Sequence, residues 1–246
     1  VYLTALRLRK IAGHRSAAID SERADVSEPR TARFAPLAAH TDVCDPAETN
    51  TPSFFCRRQQ MSDSQRKTHP AIAQGLHIRP PVLADCNQLG ELHVSAWRTA
   101  YRDIMPERYL ASLRAADRAD QWRQILSQQD DLWRRVAVVD SRVVGFCVVG
   151  ANRTAGVRAS ELWALNVDPS VFGTGVGQSL LAHAMAELRA RPQDCATLWC
   201  VKDNHRALRF YQRNNWHPDG TERVEYFDDV AVTELCLLTE LRVQNH

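Results

Sequence analysis

The stretch "ELWALNVDPSVFGTGVGQSLL" runs from Glu161 to Leu181. Its first seven residues carry a β pattern, Asp168-Pro169 turns the chain, and Gly173, Gly175 and Gly177 lead into an apolar stripe. That stripe, Val176, Leu180, Leu181, Ala184, Met185 and Leu188, has helical spacing and must stop before Pro192. A strand, a glycine loop and a helix together suit an anion. Glycines let the main chain approach without a side chain in the way, and the free N–H groups at the helix mouth present a positive end. A P-loop requires four residues between its glycines and then Lys-Ser/Thr, whereas "GTGVGQS" is shorter and has Gln178 in place of the lysine. The dinucleotide fingerprint also fails, because the spacing here is G-x-G-x-G and "DPSVF" separates it from the strand. A pyrophosphate held mainly by main-chain N–H groups remains. The plainer alternative is a helix entrance that binds nothing, which leaves three destabilising glycines unexplained.

Outward from this stretch, "LHIRPP" reads as a short strand halted by Pro80 and Pro81. Asp85 then opens an amphipathic helix carrying Leu89, Leu92, Ala96, Trp97 and Tyr101. After a turn at Pro106, a second helical stretch places Tyr109, Leu110, Leu113, Trp122, Ile125 and Leu126 on one side. "RRVAVVDSRVVGFCVVG" is a hairpin turning at Asp140-Ser141. On the other side, "ATLWCV" is a buried-type strand, and Asp203 or Asn204 caps a helix that ends near Asn214-Asn215. "TERVEYF" and "VAVTELCLLTEL" form a last hairpin around Asp228-Asp229. The order β, α, α, β, β, β, α, β, α, β, β predicts an α/β fold: a mixed, mostly antiparallel central sheet of six to seven strands with flanking helices.

Composition bounds the partners. The chain has 246 residues, 44% hydrophobic and 24% charged, with a formal charge of +2, so it lacks the basic footprint of an extended nucleic-acid binder. No apolar window approaches the ~20 residues that span a bilayer. The seven cysteines are odd in number and contain no C-x-x-C, which points to a reduced, cytoplasmic, metal-free protein. Residues 1–75 are dominated by Arg, Ser, Ala, Pro and acids and are expected to form a disordered arm. Met61 is the first methionine and an alternative start, so the upstream residues need not belong to the natural product. An organellar presequence is the other reading of the first nineteen residues, which hold four basic side chains and no acid. The folded domain is placed at 76–242.

"ELWALNVDPSVFGTGVGQSLL" followed by "NHRALRFYQRNNW" resembles the GNAT superfamily of N-acetyltransferases, whose acetyl-coenzyme A motif is Q/R-x-x-G-x-G/A. The resemblance runs from Ile78 to Leu241 and departs from the motif at Phe172, which stands at the Q/R position. It implies acetyl-coenzyme A as acetyl donor, with no metal. Leu165, Asn166 and Val167 would meet the pantetheine arm by strand-edge hydrogen bonds. Residues 172–178, that is Phe172, Gly173, Thr174, Gly175, Val176, Gly177 and Gln178, would surround the pyrophosphate. Asn204 matches an asparagine that touches the coenzyme, and is equally an ordinary helix cap.

Tyr211 matches the tyrosine that serves as general acid to the departing thiolate, and is alternatively a core tyrosine beside Phe210. A phenol of pKa ~10 protonating a thiolate whose acid lies near ~8.5 is uphill by about 2 kcal/mol, a tolerable demand on a positioned donor. Glu161 matches the glutamate base of the histone-modifying branch. It is placed on one face with Trp163, Leu165 and Val167, the alternative being an exposed glutamate at a strand start. Trp97, Tyr101, Glu222 and Glu225 are candidates for the wall of an amine acceptor whose identity is open. Cys195 and Cys200 read as packing side chains rather than acyl carriers. The implied function is direct acetyl transfer to a primary amine. The alternative is a non-catalytic acyl-coenzyme A sensor or regulatory module, and a homodimer is compatible with either.

Overall fold

The computed structural model describes residues 75–242 except Ala155; the N-terminal arm and the alternative start at Met61 lie outside the described residues. Seven strands form one sheet in the order β1-β2-β3-β4-β5-β7-β6. They are β1 (His77–Arg79), β2 (Trp133–Val139), β3 (Arg142–Ala151), β4 (Ser160–Val167), β5 (Cys195–Val201), β6 (His217–Phe227) and β7 (Val230–Glu240). Every neighbouring pair is antiparallel except β4 and β5. The β2–β3 turn is built by Asp140 (φ 48°) and Ser141 (φ 64°), both in the left-handed conformation that two-residue hairpins require.

The helices are α1 (Cys86–Ala100), α2 (Glu107–Ser112), α3 (Ala115–Ser127), α4 (Val176–Ala190) and α5 (His205–Gln212). The apolar stripe of α4 (Val176, Leu180, Leu181, Ala184, Leu188) and the α5 residues Ala207 and Tyr211 share a core with Cys147, Leu165 and Val167 of the sheet. On the other side Cys86, Leu89, Leu92 and Trp122 pack on Val136, Phe146 and Val148. The helical stretch read as one element after Pro106 is two helices. Leu113 (ψ 123°) and Arg114 (ψ 131°) are extended, so α2 stops there. A distant cation caps that end. Arg98 donates to the carbonyls of Leu110 (3.0 Å), Ala111 (3.2 Å) and Leu113 (2.9 Å), which an uninterrupted helix would have used itself. Helices α1 and α3 touch nearly backbone to backbone, since a Cβ on Gly90 would lie 2.3 Å from the Ala115 carbonyl oxygen.

A buried histidine sets one solution property. His93 of α1 lies between Trp97 and Phe146, with ring centroids 5.6 and 5.9 Å away. Burial, then the Arg118 charge, pushes its imidazole down to about 3. Between about pH 6.5 and 3 the unfolded chain therefore binds a proton that the fold excludes. Stability is complete above pH ~6.5 and falls as the pH drops, by up to about 1.4 kcal/mol per unit. His93→Gln is expected to flatten that slope, as read from urea unfolding between pH 4 and pH 7.

Candidate active site

Strands β4 and β5 are parallel but pair only at their starts, Ser160 with Ala196 and Glu161 with Thr197. Beyond that point they part, while β4 stays paired to β3 and β5 to β7. The Asp168 N–H donates to Val144 O of β3 (2.8 Å). By the two-residue period, the main-chain groups of Leu165 and Val167 then face the gap. Their side chains are buried in the core, so only main chain is offered to a ligand there.

The loop after β4 is shaped by backbone conformations that suit glycine. Gly173 has φ 79° and Gly175, the cap of α4, has φ 96°. Asp168 closes the preceding turn by accepting from the Ser170 N–H (2.8 Å). The Thr174 hydroxyl donates to Val171 O (2.7 Å), and Gln178 Nε2 donates to Asn214 of the α5 end (2.7 Å). Within α4, Ser179 N–H bonds back to Gly175 O (2.9 Å); the N–H groups before it have no carbonyl one turn behind them. Next to this mouth is a cleft of about 290 Å³, lined by Thr99, Ala100, residues 102–104, Phe172 and residues 203–206.

Three buried polar atoms on the elements around the opening have no partner among the described residues: Asn166 Oδ1, Asn204 Nδ2 and Tyr211 Oη. Asn204 does cap α5, its Oδ1 accepting from the Ala207 N–H (3.1 Å), yet its amide nitrogen is left over beside the cleft. The cap therefore uses one atom of the amide and leaves the other without a partner among the described residues. Tyr211 is fully buried, and burial first, then the neighbouring Cys200 and Cys147, pushes its phenol well above its ordinary value. Buried donors and acceptors without partners are costly, and three of them gathered around one opening mark it as a place where a ligand could complete them.

Other predicted site residues are placed differently. A bulge sets Leu162 opposite Val149 and Ala164 opposite Val148, with Trp163 as the extra residue. The bulge inverts the alternation, so Glu161 shares the face of Ala164 and Asn166, not that of Leu165 and Val167. Nor is it exposed: Glu161 is fully buried, and its oxygens accept from the Arg153 N–H (2.9 Å), Nε (3.0 Å) and Nη2. Trp97 and Tyr101 are core side chains, edge to face with one another at 5.1 Å. Glu222 lies on the edge strand β6 in an exposed ion pair with Lys202 (2.9 Å), and Glu225 stands 3.8 Å from Arg223. Cys200 is buried and Cys195 half-buried; burial drives the Cys200 thiol up to about 12. Sequence reasoning missed Arg206, whose guanidinium lies 3.6 Å from the Phe172 ring centroid. The only local signal is a basic residue two positions after the cap of a helix that starts at the cleft.

Residues 94–216 match the model of the acetyltransferase (GNAT) family. YuaI of Bacillus subtilis (strain 168), described as an uncharacterized N-acetyltransferase, is 27% identical over 141 residues, spanning 55% of this chain and 76% of that protein. An uncharacterized N-acetyltransferase of Archaeoglobus fulgidus is 29% identical over 131 residues, 52% of this chain and 86% of its own. Among solved structures, the PaiA N-acetyltransferase from Thermoplasma acidophilum in complex with coenzyme A has a TM-score of 0.54 at 19% identity, covering 67% of this chain and 98% of that one. An N-acetyltransferase from Staphylococcus aureus Mu50 has a TM-score of 0.55 at 19% identity, with coverages of 68% and 99%. At such identity these two speak for the fold alone. The family match and the N-acetyltransferase relatives make the chain an acyltransferase, and its sheet, parted between two parallel strands with a glycine loop at the opening, agrees with that. The chain belongs to the acetyltransferase (GNAT) family.

Proposed function

We propose that this chain transfers an acetyl group from acetyl-coenzyme A directly to a primary amine. The observation that carries the reading is Tyr211, a fully buried phenol with no partner among the described residues, on the helix beside the β4–β5 opening. The residues present fit the coenzyme. Main-chain groups of Leu165 and Val167 would hold the pantetheine amides, as a peptide adds to a sheet edge. The N–H groups of Gly173 and residues 175–178 would hold the diphosphate, that of Thr174 being turned to Val171 O (3.4 Å), and Asn204 Nδ2 supplies a further donor. When bound, acetyl-coenzyme A supplies an acyl group already activated as a thioester.

The chain's own residues do the rest. Main-chain N–H groups at the β4 edge donate to the carbonyl oxygen, and fixed donors of this kind need no reorganisation. Tyr211 Oη passes its proton to the leaving sulfur while the attacking amine gives up one of its own, which restores the phenol; burial keeps the phenol protonated at rest and makes this donation harder than for an ordinary phenol, so it depends on positioning. Direct transfer accords with the thiols: Cys147 and Cys200 are buried and pushed up to about 12, so neither is a thiolate carrier at neutral pH. Glu161 enters as the anchor of the β4–β5 junction, since Arg153 already holds its oxygens.

Thermal-shift titration with acetyl-coenzyme A, followed by thiol release across a panel of primary amines, tests the reading. A rise in Tm and amine-dependent release are expected. A tenfold excess over Kd corresponds to about 1.4 kcal/mol of stabilisation. No shift at any concentration defeats the reading, and a shift without release from any amine reduces the chain to a binding module.

A further inference from the structure

The glycine loop carries no cation of its own, since residues 172–178 contain neither Lys nor Arg. The tertiary structure brings one to it. Arg206, exposed on the first turn of α5, lays its guanidinium 3.6 Å from the centroid of the Phe172 ring. A guanidinium resting flat on an aromatic face keeps its N–H edge outward and loses little further freedom on bonding. Asp103 and Asp203 line the same cleft, yet Arg206 forms no ion pair with any carboxylate among the described residues. Beside it, Asn204 is buried, and its Nδ2 has no partner among the described residues. Besides those two carboxylates, the groups gathered here, guanidinium, amide nitrogen and helix-mouth N–H, are donors. Their complement is an anionic cluster of oxygens.

We propose that Arg206, stacked on Phe172, grips a phosphate of the coenzyme's nucleotide half. The stacked pair stands in for the basic or amide side chain that the loop lacks at Phe172. This rests on the acetyl-coenzyme A reading above. Phe172 is thus the platform that aims a cation from another helix, and the contact is bidentate in the manner open to arginine but not to lysine.

The test is calorimetric titration of coenzyme A and 3′-dephospho-coenzyme A into the wild type, Arg206→Ala, Arg206→Lys and Phe172→Ala at several salt concentrations. Arg206→Ala is expected to bind coenzyme A about tenfold more weakly or worse, with a reduced salt dependence and an unchanged Tm without ligand. Lysine should recover part of the loss, and Phe172→Ala should weaken binding in the same direction. An equal loss for both ligands assigns the contact to the diphosphate, whereas a loss confined to coenzyme A assigns it to the 3′-phosphate. Wild-type affinity in Arg206→Ala overturns the proposal, as does a loss that leaves the salt dependence unchanged. A wild type that binds neither ligand overturns the parent reading instead.

Discussion

Tyr211→Phe is expected to lower kcat by ~10²-fold or more while leaving the KM for acetyl-coenzyme A within about threefold of the wild type. The substitution removes one oxygen from a fully buried ring that packs beside Phe210 (5.3 Å) and Trp216 (6.1 Å). Phenylalanine fills the same space, so the core keeps its contacts. The hydroxyl has no partner among the described residues, so its loss leaves nothing newly unsatisfied, and the unliganded Tm should hold or rise. Rate and stability therefore move apart, which a structural tyrosine would not do. Burial also keeps the phenol protonated beyond its ordinary range, so no alkaline fall in kcat from this group is expected below pH ~10. Steady-state thiol release at saturating donor, combined with a melting curve, reads all of this. A variant that turns over at the wild-type rate removes Tyr211 from the chemistry.

Glu161→Gln is expected to act on the fold first. The carboxylate is fully buried, and its partner Arg153, only 11% exposed, also lies over the Trp163 ring at 4.8 Å. Neutralising one member removes the charge that this guanidinium faces in a poorly solvated place, a loss of about 3–5 kcal/mol, or roughly 10 °C in Tm for a domain of this size. Glu161→Leu combined with Arg153→Met should recover much of that loss, because a packed apolar pair carries no desolvation cost. Melting curves of the two single variants and the double variant provide the measurement. A glutamate acting as proton acceptor would behave in the opposite way, with turnover collapsing in Glu161→Gln and Tm unmoved.

Local features were legible from spacing alone because their causes lie within a few residues. The order of strands and the stripe of α4 follow from hydrophobic period, which each segment carries by itself. The tight turn at Asp140-Ser141, the Asn204 cap and the stop at Asn215 (φ 62°) follow from conformations that few residue types tolerate. The bend of the glycine loop was legible for the same reason, since the positive φ of Gly173 and Gly175 suits glycine.

What the tertiary structure alone decided concerns pairs of residues far apart in the chain, whose identity no spacing records. Arg98 caps the end of α2 from another helix, and Arg206 came to rest on Phe172 across the cleft. Arg153 holds the carboxylate for which the resemblance had implied proton transfer. One extra residue at Trp163 turned Glu161 to the opposite face, because an alternation of period two inverts at a single insertion. Periodicity assigns each residue a side. Only packing determines which partner waits there and whether water remains.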